Sequence, residues 1–231
     1  MHGIAYDDVQ DLVIVPAQLS QSILTFRGDA KGEQPPVRVI QGPRTEIRQA
    51  DRVAVDSLHK ELFVGDGGQV LVFPSDASGD VGPIRAIRGP DTQLSDGRGG
   101  VPPIAVDPVS NVLVVVSRGI LIFDRTANDN AKPLRVITGA GAGGGRLAAA
   151  YDGLIFAASR GALGVWSVHD NGAVPPRWRI GGGVLQGMRG VAIDAKNKSV
   201  IITDKELNAV LTYYVPEVFA KDTGPENRRS P

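Results

Sequence analysis

Apolar residues in this chain come in short runs of four to seven, separated by clusters of Gly, Pro, Asn and Asp, and no convincing helical period appears. Runs of that length, rich in Val, Ile and aromatic residues, predict strands. A tetrapeptide ending in aspartate recurs as IAYD, VAVD, IAVD, AAYD and VAID, at Asp7, Asp56, Asp107, Asp152 and Asp194, with gaps of 49, 51, 45 and 42 residues. Each is followed by a second β-rich run, LVIVPA, LFVGDG, LVVVSR, LIFAAS or VIITDK, and then by a third carrying Phe26, Phe73, Phe123, Trp166 or Tyr213. A fourth run closes the first four units: PVRVIQG, PIRAIRG, PLRVITG and the less regular PRWRIGG.

Four strands in a period of about 40 to 50 residues predict the blade of a β-propeller. The expected fold is therefore all-β, with five blades of four-stranded antiparallel sheet at about residues 3–42, 51–89, 101–139, 146–182 and 189–219. The last blade is expected to lack its outer strand, because nothing β-rich follows AVLTYYV; a natural chain that begins upstream and completes this blade with an N-terminal strand is the expectation, with a six-bladed parent as the alternative. Residues 220–231 read as a disordered tail. Each blade can bury its sheet faces only against neighbours, which is why the pattern is copied.

The stretch GVAIDAKNKSVIITDKELNAVLTYY, Gly190 to Tyr214, resembles an NHL repeat, and VLVFPSDASGDVGPIRAIRGP, Val70 to Pro90, is similar to bacterial proteins built from NHL-like propeller repeats. The resemblance spans roughly residues 3 to 219, and only the last unit keeps the family's Asp and Asn four residues apart, at Asp204 and Asn208. It implies a propeller scaffold, often extracytoplasmic in bacteria, in which binding is commoner than catalysis.

At 231 residues the chain is long enough for one sizeable domain. Its 25 basic and 25 acidic side chains cancel, so no global field favours nucleic acid or an anionic membrane. The absence of cysteine excludes disulfides, thiol catalysis and thiolate metal sites. No signal peptide is visible at MHGIAYD, and no window reaches the roughly 18 apolar residues of a membrane span.

The repeated aspartates fall where strand one turns into strand two, where Asp accepts backbone N–H groups, so they read as turn chemistry rather than a metal ring. GAGAGGGR, Gly139 to Arg146, lacks the lysine–serine ending and the following helix of a phosphate loop and reads as a connection between blades. His2, His59 and His169 occupy different places in the repeat and cannot converge on a metal. Arg38, Arg85 and Arg135 recur on strand four and read as charges guarding an exposed blade edge, with Trp178 exposed at the equivalent place in blade four.

Alternating strand direction puts the loops from strand four to the next strand one on the same face as the turns between strands two and three. His2, Arg52, Arg118, Arg146, Arg160, Arg189 and Lys205 sort to that face, with Asp51, Asp66, Asp204 and Glu206 as its acids. The expected site is the axial mouth on this face, with His2, Arg52, Arg118, Arg146, Arg160 and Arg189 as ligand-binding residues. Guanidinium forks from several blades suit an anionic small molecule or peptide. The expected function is non-catalytic binding or scaffolding by a monomer, with no cofactor, metal, nucleic acid or membrane. The alternative is a metal-dependent, gluconolactonase-like hydrolase. It needs oxygen ligands from several innermost strands, and the matching positions here are His2, Asp51, Pro102, Leu147 and Arg189, a single carboxylate among five.

Overall fold

The computed structural model describes residues 3–94, 102–139, 141–143 and 147–220. Blade one is built from β1 (Ala5–Asp7), β2 (Leu12–Ala17), β3 (Ser22–Arg27) and β4 (Arg38–Gln41). Blade two contains β5 (Ala50–Asp56), β6 (Glu61–Asp66), β7 (Gln69–Pro74) and β8 (Arg85–Ile87). Blade three contains β9 (Ile104–Asp107), β10 (Val112–Val116), β11 (Ile120–Asp124) and β12 (Arg135–Ile137). Blade four contains β13 (Ala148–Tyr151), β14 (Leu154–Ser159), β15 (Ala162–Ser167) and β16 (Trp178–Ile180). Blade five has β17 (Met188–Asp194), β18 (Ser199–Asp204) and β19 (Ala209–Tyr214). Each is an antiparallel meander, four-stranded in blades one to four and three-stranded in blade five, and together they form a five-bladed β-propeller.

Strand alternation puts apolar side chains on both faces of a blade, so the core lies between blades rather than within one. Ile14, Ile23 and Ile40 of blade one meet Leu62, Val64, Leu71 and Phe73 of blade two. Phe63, Val70 and Val72 of blade two meet Leu113, Val115 and Phe123 of blade three. The pattern continues from blade three to four around Trp166, and from blade four to five around Phe156, Leu163, Val200 and Ile202. Blade four replaces the Leu–x–Phe pair of the third strand with Gly164 and Trp166. A Cβ on Gly164 would stand 2.5 Å from the Trp166 indole, so the glycine makes room for the larger ring.

The turn aspartates act largely as expected. Asp7 accepts the backbone N–H groups of Val9 and Gln10, Asp56 that of His59, Asp107 that of Val109 and Asp194 that of Asn197. Asp107 also accepts the Gly153 N–H of blade four at 2.7 Å, so a turn residue becomes a bridge between blades. Asp152 departs from the rule. It is exposed with φ 45° and forms, with Gly153 at φ 82°, the two-residue turn between Tyr151 and Leu154, the left-handed pair that suits a tight hairpin.

The arginines of strand four correct the expectation of an exposed guarded edge. The outer strands β4, β8 and β12 are covered: Gly79, Asp129 and Gly172, in the loops before strand four, pair in parallel with Ile40, Ile87 and Ile137 of the preceding blade. Gly79 donates its N–H to Val39 at 2.6 Å and accepts from Gln41 at 3.1 Å, and Asp129 and Gly172 repeat the exchange. Arg85 turns inward onto Glu61 through two hydrogen bonds of 2.8 Å. Arg125 of blade three also donates to Glu61, and it bonds Asn111 at 2.9 Å. The edge was misread because its partner lies some 40 residues away, in a loop whose left-handed backbone is not an apolar run. Trp178 is likewise half-buried, packed in the core between blades four and five.

Burial alone would raise the carboxyl of Glu61, yet the Arg85 and Arg125 guanidinium groups hold it below the ordinary range. Removing it takes the carboxylate from Arg85 altogether and leaves the buried Arg125 with Asn111 and the Asp56 carboxylate at 3.5 Å. Glu61→Ala should therefore cost about 3 kcal/mol, the scale for breaking a buried pair on one side. The check is a lowered urea midpoint at unchanged m-value.

Candidate functional site

Strand one of every blade starts at the same end of the propeller, and the five starts surround a cavity of about 670 Å³. Its wall is Gly3 and Ile4 from blade one, Arg52 and Val53 from blade two, Pro103 and Ile104 from blade three, and Leu147 and Ala148 from blade four. Blade five adds Arg189, Gly190, Val191, Thr203 and Lys205. The described lining thus carries three cationic side chains and no carboxylate, over an apolar floor of valine, isoleucine, leucine and alanine.

Two of the three cations stand at irregularities of the sheet. The register between β5 and β6 slips between Ala50 and Arg52, with Asp51 as the extra residue and Arg52 next to it, and that between β17 and β18 slips between Met188 and Gly190, with Arg189 as the extra residue. A bulge re-aims side chains and is favoured beside sites. Both bulged blades also end strand two in aspartate, Asp66 and Asp204. Asp66 accepts the N–H groups of Arg48, at 2.9 Å, and Gln49. Asp204 accepts those of Gln186 at 2.8 Å and Gly187 at 2.9 Å, together with Glu206 and Leu207 in its own turn. Each aspartate thus ties down the loop entering the bulge at or beside which a cavity arginine stands. Sequence reasoning counted both as acids of the rim; the available signal was that blades two and five alone end strand two in Asp.

Arg52 and Arg189 line the cavity together with Lys205, whose backbone N–H donates to the Gly187 carbonyl at 2.9 Å. Arg118 and Arg160 are exposed in the turns after β10 and β14 and are not among the lining residues. The Arg160 carbonyl instead accepts from Arg179 at 3.1 Å. His2 and Arg146 lie outside the described residues. His59 sits in the turn after β5 with Nδ1 2.8 Å from Asp56, and His169 is exposed. Among the described residues no three His, Asp or Glu side chains gather as a metal-binding group.

Comparison with known proteins supports the fold alone. No family model matches the chain, and no curated protein matches it. Among solved structures it is similar to the WD40 β-propeller domain of Doa1, at 13% identity and TM-score 0.58, over 93% of this chain and 68% of that one. It is similar to Kuenenia stuttgartiensis hydrazine synthase at 16% identity and TM-score 0.62, covering 88% of this chain and only 55% of the other. A chain of the nidogen/laminin complex matches at 17% identity and TM-score 0.58, over 93% of this chain and 80% of that one.

The anchoring aspartate of blade five sets a pH dependence. Burial acts to raise the Asp204 carboxyl, but the N–H groups of Gly187, Gln186, Leu207 and Glu206 outweigh it and hold the group below the ordinary range. Asp7 and Asp170 are lowered in the same way, burial being outweighed by hydrogen bonds. Depressed folded values mean that the unfolded chain binds more protons in acid, so stability falls with falling pH. The contribution is fully present above the unfolded carboxylate value of about 4 and is lost as pH drops through the folded values. Melting temperature should be level between about pH 5 and 7 and decline below about pH 4, with Asp204→Asn flattening part of the decline.

Proposed function

We propose that this propeller is a non-catalytic binding scaffold of the NHL-like kind whose axial cavity takes an anionic small molecule or the acidic side chain of a peptide. The observation that carries the reading is the cavity itself: Arg52, Arg189 and Lys205 in one wall with an apolar floor and no carboxylate among the described lining. A concave, largely apolar pocket with a few convergent polar groups is the usual form of a ligand site. Guanidinium groups offer forks matched to carboxylate, sulfate and phosphate, and anchored bulges hold two of these cations before a ligand arrives. Arg118 and Arg160, exposed on the same end, serve as an outer rim that attracts an anion without enclosing it.

Titrating inorganic phosphate, citrate and a polyglutamate peptide by calorimetry tests the reading. For whichever of these probes binds, Arg52→Gln with Arg189→Gln should weaken affinity at least tenfold, about 1.4 kcal/mol. Arg118→Ala with Arg160→Ala should weaken it less and mainly at low salt. Failure of all three anions to bind, equal binding by the Arg52/Arg189 variant, or preference for an uncharged analogue of the bound probe would reject an anion site here.

A further inference from the structure

Blade one carries an apolar sheet face whose counterpart in every other comparable blade is sealed. Register pairs Val13 with Phe26 and Val15 with Leu24 in blade one, as it pairs Leu62 with Phe73 and Val64 with Leu71 in blade two. In blade two those four residues are 0–2% exposed, and Leu113, Val115, Leu121 and Phe123 of blade three are equally dry. Val13, Val15, Leu24 and Phe26 have the same chemistry, yet all four are only half-buried. On the same face Ile4 is 64% and Tyr6 56% exposed.

A second feature of blade one repeats a binding element without its partner. Gly79, Asp129 and Gly172 each take a left-handed conformation and exchange two backbone hydrogen bonds with strand four of the preceding blade. The residue before each, Ser78, Asn128 or Asn171, offers a side-chain oxygen to that strand's N–H. The residue after two of them, Asp80 and Asn130, accepts the N–H of Arg44 or Asp91 just beyond the strand. In blade one the same loop reads Lys31, Gly32 and Glu33: the left-handed residue, Gly32 at φ 59°, and the acidic acceptor after it are kept, while Lys31 lacks the side-chain oxygen of Ser78, Asn128 and Asn171. Among the described residues no strand lies opposite it.

We propose that the outer face of blade one is a docking surface for a further four-stranded β unit of this same repeat, whose arginine-bearing outer strand is gripped by the loop at Gly32 and Glu33. The surface continues an interface that the molecule already uses between consecutive blades, and that interface defines the occupant. The incoming sheet supplies an Ile or Val face like that of Ile14, Ile23 and Ile40 against Val13, Val15, Leu24 and Phe26. Its fourth strand reads Pro-x-Arg-x-Ile-x-Gly, with backbone groups two residues apart for Gly32 and an N–H beyond the glycine for Glu33. A second whole copy of the chain is a poorer occupant. Its strands β4, β8 and β12, which read this way, are already gripped by their own neighbouring loops.

The experiment appends a copy of residues 50–96 directly ahead of Met1 of the full chain. The step from Gly89 of the copy to Asp7 then equals the fourteen positions that separate Gly42 from Asp56, the residue that Asp7 matches in register. Docking is expected to raise the melting temperature by about 5 °C or more in one cooperative transition and to protect the Gly32 amide from hydrogen exchange at least a hundredfold. Val13→Glu and Leu24→Glu, on the half-buried outer face, should each erase most of that gain in the extended chain while shifting the original chain far less. An appended unit that melts separately and leaves Gly32 unprotected would overturn the proposal. So would a concentration-dependent dimer of the original chain that protects Gly32, since it would make a second copy the occupant.

Discussion

A sheet that is apolar on both faces must be covered twice, and that single requirement organises this molecule. No blade holds a core of its own: Phe63 and Leu62 sit one residue apart on β6 and belong to different cores, one shared with blade three and the other with blade one. Burial of large side chains, each worth about 1.5–3 kcal/mol, therefore accrues to pairs of blades. The backbone follows the same logic. A left-handed residue in the loop before strand four pairs with the blade behind it, satisfying edge groups that would otherwise face solvent.

The same constraint explains why polar chemistry concentrates at the two ends. Between blades there is room for little besides apolar side chains, and the Glu61 carboxylate that enters is paired with Arg85 and Arg125. At the other end the starts of the innermost strands splay around the axis and leave a cavity. Where β5 and β17 are bulged, arginines line it. Asp66 and Asp204 accept backbone N–H groups of the loops that enter these bulges, and the cations of the described wall keep acids close by, Lys205 Nζ standing 3.8 Å from Glu206.

Blade one shows what the rule looks like when one side is open. Its Val, Val, Leu and Phe face is as apolar as those of blades two and three, and nothing in its local sequence marks it as different. Blade five differs: Thr203, Val210, Thr212 and Tyr214 on its outer side are exposed, a mixed surface better suited to water. Among the described residues the outer faces of blades one and five are therefore chemically unlike.

Much of the fold was legible because strand periodicity and turn chemistry are local. Short β-branched runs, a turn aspartate every 42 to 51 residues and one aromatic per third strand were enough to give five blades and their strand order. The turn role of Asp7, Asp56, Asp107 and Asp194 followed from the same local rules, and so did the end of the propeller to which the arginines belong. Which arginines meet was not legible. Arg118 and Arg160 share an end with Arg52 and Arg189 but stand in the outer turns, because distance from the axis depends on which strand of the blade a residue follows. Arg85 looked like an edge charge because the loop covering its strand and the Arg125 that shares its partner come from the next blade. Alternation along a strand determines which face a side chain takes. What stands against that face is decided by packing between segments some 40 residues apart, and only the assembled propeller contains that information.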